Sequence, residues 1–171
     1  MFKTNRQKNL TIFLFMVYIL LLTWIVLFKL QINFSKLDYM RNINLIPFHQ
    51  SMIVNGHINL REIIYNVFVF VPMGIYISIC KPDWSFLKKI IPSLGISLLF
   101  EVLQYIFAIG ASDITDIIGN TFGGIIGICI YELFHKIFKD KTITIINVIA
   151  SIVSILAISM CAILIFANIF Q

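Results

Sequence analysis

The sequence predicts an all-α, polytopic membrane protein with about five membrane-crossing helices, its N-terminus cytoplasmic and its C-terminus external. Three observations carry that expectation. Of 171 residues, 60% are hydrophobic and 12% charged, with a mean hydropathy of +0.96. A soluble domain averages roughly 45–50% apolar and about 25% charged. The apolar residues fall in five long runs, close to the roughly 20 residues a helix needs to cross a bilayer. The cations lie between those runs and give them a direction. An ordinary cytosolic enzyme, a nucleic-acid-binding domain and a disordered chain are excluded, despite a net charge of +5. The length fits one domain, 1–171.

The first run, 10–28, has no charge and follows Lys3, Arg6 and Lys8. It is too long for a signal-peptide core, no small-residue cleavage site follows, and it reads as a retained anchor. The second run covers 62–80 and the third 88–109, the latter with one internal charge, Glu101. The fourth covers 113–134. The fifth, 143–170, is uncharged. Cys80, Cys129 and Cys161 sit inside these runs without CxxC spacing and read as buried thiols.

Nine cations share one side of this arrangement: Lys3, Arg6, Lys8, Lys81, Lys88, Lys89, Lys136, Lys139 and Lys141. The other side has four, Lys29, Lys36, Arg41 and Arg61. The richer side is cytoplasmic. The external side then holds a long first connection, about 29–61, and a very short turn at Ile109, Gly110, Ala111 and Ser112. So short a turn makes the third and fourth helices an antiparallel hairpin.

Polar residues concentrate on that hairpin. Glu101 and Gln104 are spaced i, i+3, with Ser97 one turn earlier. Asp113, Asp116 and Asn120 share a face of the fourth helix, which Gly123, Gly124 and Gly127 continue as a smooth packing surface. With Ala111 as apex, Glu101 and Asn120 fall at similar depth, roughly 13–15 Å below the helix ends. The second helix begins with Arg61, Glu62, Tyr65 and Asn66, and Asn66 is placed to face the same patch. Pro72 and Gly74 follow; the proline is expected to kink the helix and make room.

The expected pocket is therefore Asn66, Glu101, Gln104, Asp113, Asp116 and Asn120, with Glu101, Asp113 and Asp116 as the candidates for any catalysis. An ionisable group inside a span costs roughly 2.5–3.5 kcal/mol and tends to mark function. The plainer alternative is structural: amides bonding helices together at about 0.6 kcal/mol each, and aspartates capping a helix start. His49, His57 and His135 show no metal-ligand spacing, and no nucleotide-binding or nucleophile-elbow motif occurs. No metal or cofactor is expected. The apolar stretch Asn44, Leu45, Ile46, Pro47, Phe48 is placed to dip into the interface or pack on the bundle.

Five segments carry a family resemblance: Thr23 to Gln31, Asn44 to Phe48, NVFVFVPMG from Asn66, FEVLQYIFAI from Phe100 and GASDITDIIGNTFGGIIG from Gly110. In them the chain resembles the VanZ-like membrane proteins, and among these the teicoplanin-resistance members, over about 20–135. Wider members of that family carry an arginine in the turn before the two aspartates; this chain has Gly110, Ala111 and Ser112. The resemblance implies a multi-pass protein of the Gram-positive cell membrane that lowers susceptibility to teicoplanin, a lipoglycopeptide, with little effect on vancomycin. It implies no settled chemistry. Three readings follow: binding of a lipid, a lipid-linked precursor or the drug's acyl region; an intramembrane enzyme acting on a lipid headgroup or lipid-linked precursor; and a transporter, with pairing through the glycine-rich helix open as a route to an oligomer.

Overall fold

The structure is a computed structural model that describes residues 2–28, 40–48, 53–54, 57–58 and 60–169. Among these residues it is built on five α-helices: α1 (Asn5–Phe28), α2 (Arg61–Cys80), α3 (Phe86–Phe107), α4 (Ile114–Phe138) and α5 (Thr142–Ile169). Four short strands accompany them: β1 (Met40–Asn44), β2 (Ile53–Val54), β3 (His57–Ile58) and β4 (Ile109–Asp113). Most of the loop expected between the first two helices, including Lys29, Lys36 and His49, lies outside the described residues. So does the side chain of His57.

Four helical stretches of the described residues are long and apolar enough to cross a membrane: Asn5–Leu27, Arg61–Cys80, Phe86–Phe107 and Ile114–Ile163. The last is 50 residues long, about 75 Å if straight, far beyond a bilayer core of roughly 30 Å. It is broken at Lys139, where φ is +46°. There the Thr142 hydroxyl donates to the Phe134 and Lys139 carbonyls. The chain reverses, and Tyr131 packs against Ile143 and Ile146.

The helices alternate in direction. The α3–α4 pair is antiparallel, bonded near one end by Lys89 Nζ to Glu132 Oε1 at 2.9 Å and further along by Asn120 Nδ2 to Ser97 Oγ at 2.9 Å. α5 runs parallel to α1, with Gln7 bonded to Thr144 and Thr11 to Asn147. α2 and α4 run parallel in the closest packing of the bundle. Gly119 meets Ile63 and Asn66, Gly123 meets Val67 and Phe70, and Gly127 meets Val71 and Gly74. A Cβ at Gly123 or Gly127 would overlap a carbonyl oxygen of α2, so only glycine permits this approach. Of the three glycines that the sequence placed on one face open to a second copy, Gly123 and Gly127 face α2 of the same chain and Gly124 faces Ser93 of α3.

The bundle has two distinct ends. One gathers Lys81, Lys88, Lys136 and Lys139, and there Lys3 lies 3.7 Å from Asp140. The other carries the strands. β1 pairs in parallel with β4, from Met40 opposite Ile109 to Asn44 opposite Asp113. The tight turn expected at 109–112 is thus an extended strand, and α3 stops at Phe107, capped by Ala108 in the left-handed region (φ +55°). β2 and β3 form a separate antiparallel pair.

Leu22, Leu27, Phe70, Met73, Ile77, Phe100 and Ile109 form the main core, with Phe70 and Phe100 edge to face at 6.4 Å. The outside is equally apolar: Phe13, Leu20, Phe68 and Ile155 are each more than 60% exposed. In water this surface would be an aggregation site; in lipid it is solvated.

Candidate functional site

A cavity of about 550 Å³ lies in the strand-end half of the bundle. One wall is polar. Arg61, Glu62, Tyr65 and Asn66 come from the first two turns of α2, at helical spacing that brings them to one side. Gln104 comes from the last turn of α3 and Asp116 from the first turn of α4. The opposite wall is apolar: Leu21, Ile25 and Val26 of α1 and Ala157, Met160 and Cys161 of α5.

Gln104 is 4% exposed. Its Nε2 donates to the Val26 carbonyl at 3.0 Å, which ties α3 to α1. Its Oε1 is buried with no hydrogen-bond partner among the described residues, and the same holds for Nδ2 of Asn66. An unmatched buried polar atom costs roughly 1–3 kcal/mol. Both atoms are buried beside the cavity rather than exposed in it.

Three of the six residues expected in the pocket, Asn66, Gln104 and Asp116, line this cavity. The other three lie elsewhere. Glu101 and Asp113 border a separate groove of about 260 Å³, with Ile43, Asn44 and Tyr105. There Glu101 Oε2 accepts from the Asp113 backbone N–H at 2.9 Å, and the Ser112 hydroxyl donates to the Glu101 carbonyl at 2.8 Å. Asp113 caps α4, accepting from Thr115 N at 2.7 Å, and also accepts from Asn44 Nδ2 at 3.0 Å. Phe48 N donates to the Thr115 hydroxyl at 3.1 Å. This network seats the strand pair on the hairpin. Asn120 is buried between α3 and α4 on Ser97.

The separation has a physical cause. The expected common depth of Glu101 and Asn120 assumes two helices continuing to Ala111. Because β4 is extended, Glu101 sits six residues, about 9 Å, below the end of α3 and reaches the start of α4 rather than its middle. Arg61, Glu62 and Tyr65 join the cavity from positions already noted at the start of the second helix. The α5 wall had no sequence signal, since that helix is apolar on every side. His135 stacks on Tyr131 at the lysine end, 5.9 Å between ring centroids. Among the described residues no cluster of three His, Cys, Asp or Glu side chains is placed to hold a metal.

The VanZ/LLP1 family model matches residues 15–135, 121 of the 171 residues. The chain belongs to the VanZ/LLP1 family. Protein VanZ of Enterococcus faecium is 44% identical over 126 residues, which cover 72% of this chain and 74% of that protein. No solved structure matches. The family match takes in the polar wall of the cavity, from Arg61 to Asp116, and stops before α5, so the apolar wall at Ala157, Met160 and Cys161 lies beyond it.

Proposed function

We propose that this VanZ-family protein acts in the bacterial cell membrane to lower susceptibility to teicoplanin-type lipoglycopeptides, through the cavity bounded by Arg61, Asn66, Gln104 and Asp116. Its five helices each cross the bilayer, with the N-terminus cytoplasmic and the C-terminus external. The alternating helix directions and the gathering of lysines at one end support that orientation. The cavity then opens in the external half, where the drug meets the membrane.

The observation that carries the reading is a mostly apolar cavity of about 550 Å³ with Arg61, Asn66, Gln104 and Asp116 gathered on one side, within the size range of small-molecule sites. Such a site suits an amphiphile rather than a water-soluble substrate. Teicoplanin carries an acyl chain and vancomycin none, so a site reading membrane-anchored groups discriminates between them. The protein engages a lipid, a lipid-linked precursor or the drug's acyl region at this position.

The test is drug susceptibility of a teicoplanin-sensitive Gram-positive host expressing the chain, Gln104→Leu or Asp116→Asn, with membrane levels matched. Protection against teicoplanin alone, lost in both variants, is the expected result. Protection by both variants equal to the parent removes the cavity from the function. No protection by the parent removes the resistance reading itself.

A further inference from the structure

A second cavity of about 290 Å³ lies beneath the first, toward the lysine end, and the two share Leu21 and Ala157. Its lining is apolar: Tyr18, Pro72, Ile75, Phe134, Ile146 and Val153 are among the residues that form it. End to end, the two trace a slot along the same helix faces. Along α2 the lining positions are 61, 62, 65, 66, 69, 72, 75 and 76, a single uninterrupted face. Along α5 they are 146, 149, 150, 153, 154, 157, 160 and 161, again one face. α1 contributes 18, 21 and 25.

From Arg61 to Tyr76 the slot follows α2 for about 22 Å. One leaflet of the hydrocarbon core is about 15 Å deep, half of roughly 30 Å. The slot is therefore long enough for a hydrocarbon chain of the outer leaflet. Along the slot Phe15, Tyr18 and Tyr76 cluster, their rings 5.0 Å (Phe15–Tyr76) and 5.9 Å (Tyr18–Tyr76) apart, and Tyr18 and Tyr76 line the wall. Tyr18 is fixed there by donating to the Val69 carbonyl at 2.9 Å. At the mouth lie Asn66 and Gln104, whose buried Nδ2 and Oε1 have no hydrogen-bond partner among the described residues.

We propose that this slot is a binding site for one hydrocarbon chain of a membrane phospholipid with a hydroxylated headgroup. The chain lies between α1, α2 and α5, its headgroup at Asn66 and Gln104. Side-chain rotation brings the buried Asn66 Nδ2 to donate to the phosphate oxygens and Gln104 Oε1 to accept from a headgroup hydroxyl. The lipid is the resident occupant, because polar residues at the mouth above an apolar channel of leaflet length match a molecule already oriented by the bilayer. The assignment rests on the proposed function only in using the same cavity.

The experiment is photocrosslinking of the full chain in phosphatidylcholine nanodiscs. The probe is phosphatidylglycerol with a diazirine at the end of one chain; matched reactions use a phosphatidylcholine probe and an acyl-diazirine lipoglycopeptide. The expected adducts fall on Ile75, Tyr76, Phe134 and Ala150, and the phosphatidylglycerol probe gives more of them than the phosphatidylcholine probe. Ala157→Phe and Leu21→Trp, which fill the waist from opposite sides, lose these adducts. Ala162→Phe, on the exposed side of α5, keeps them.

Adducts of the parent chain spread over Leu20, Ile152 and Ile155 overturn the slot, whatever the variants do. Equal labelling by the two phospholipid probes overturns the headgroup assignment. Labelling of the floor by the lipoglycopeptide but by neither phospholipid overturns the resident-lipid assignment. Cells protected from teicoplanin without floor adducts refute the slot alone; floor adducts without protection refute the proposed function alone.

Discussion

Replacing Gly127 by alanine tests whether the close approach of α2 and α4 holds the bundle together. A Cβ there would lie 3.0 Å from the Val71 carbonyl carbon and 3.1 Å from Gly74 Cα, with the Val71 oxygen nearer still. All three obstacles are backbone, so no side chain can rotate out of the way and the helices must part. Overpacking of this kind costs about 1–3 kcal/mol. Against it stands the intrinsic gain of alanine over glycine in a helix, about 1 kcal/mol. The matched control is Gly95→Ala in α3, where nothing among the described residues lies within 4 Å of the new Cβ, so only the gain operates. The two variants should differ by about 1–3 kcal/mol. For a chain of this length that is a gap of roughly 2–12 °C in melting temperature, Gly95→Ala above the parent and Gly127→Ala below Gly95→Ala. The assay is thermal unfolding in one detergent, followed by intrinsic fluorescence and by size-exclusion recovery after heating. A Gly127→Ala protein that melts at or above Gly95→Ala refutes the reasoning, because the carbonyl contact would then carry no cost.

Three further outcomes follow from the bonding described above. Glu132→Gln leaves the buried Lys89 ammonium without its carboxylate and should cost about 2 kcal/mol, less than the roughly 3–5 of a fully buried pair because the Glu132 side chain is 54% exposed; Lys89→Met should cost less, and the order of the two melting temperatures decides. Asp113→Ala removes the cap on Thr115 and the acceptor for Asn44, a loss of about 1–2 kcal/mol, whereas Asp113→Ser keeps the cap and should fall between that variant and the parent in the same melt. Glu101→Gln retains an acceptor for the Asp113 N–H and should preserve both membrane level and drug protection, while Glu101→Leu leaves that donor unmet at a cost of about 1–3 kcal/mol; immunoblotting and drug inhibition together check the pair, and loss of protection by Glu101→Gln at normal protein level would point back to a carboxylate that does chemistry.

The legible part of the fold was its helices. Long apolar runs located them, and the bounds moved by only a few residues, except at the start of α1, which begins at Asn5 and carries Arg6 and Lys8 inside the helix. The glycines at 123, 124 and 127 announced a smooth face but not its partners, because nothing in α4 distinguishes α2 or α3 from a second copy. The hairpin depth rule was right in kind and off in register: it placed Asn120 beside Glu101, and the structure sets Asn120 on Ser97, one turn away. The error traces to β4, whose pairing with β1 is a tertiary contact invisible in Ile109 to Asp113 alone. The same depth rule pairs Lys89 with Glu132, which sequence reading had counted only as a topology charge. The slot was hidden for a different reason. Its face on α5 repeats with helical period, but the opposite face is just as hydrophobic, so the period leaves no contrast to read.

The two hydrogen bonds described between α1 and α5, Gln7 to Thr144 and Thr11 to Asn147, both sit in the first two turns of α5. They act as a pivot at one end of a rod. From Asn147 to Cys161 the rod is about 21 Å long, and a tilt of about 10° at the pivot carries Cys161 sideways by about 4 Å. That displacement is comparable to the thickness of a hydrocarbon chain. The width of the mouth is thus governed by leverage from the far end, so a substitution at Thr11 or Asn147, remote from every polar residue of the site, resets the aperture through which a chain enters.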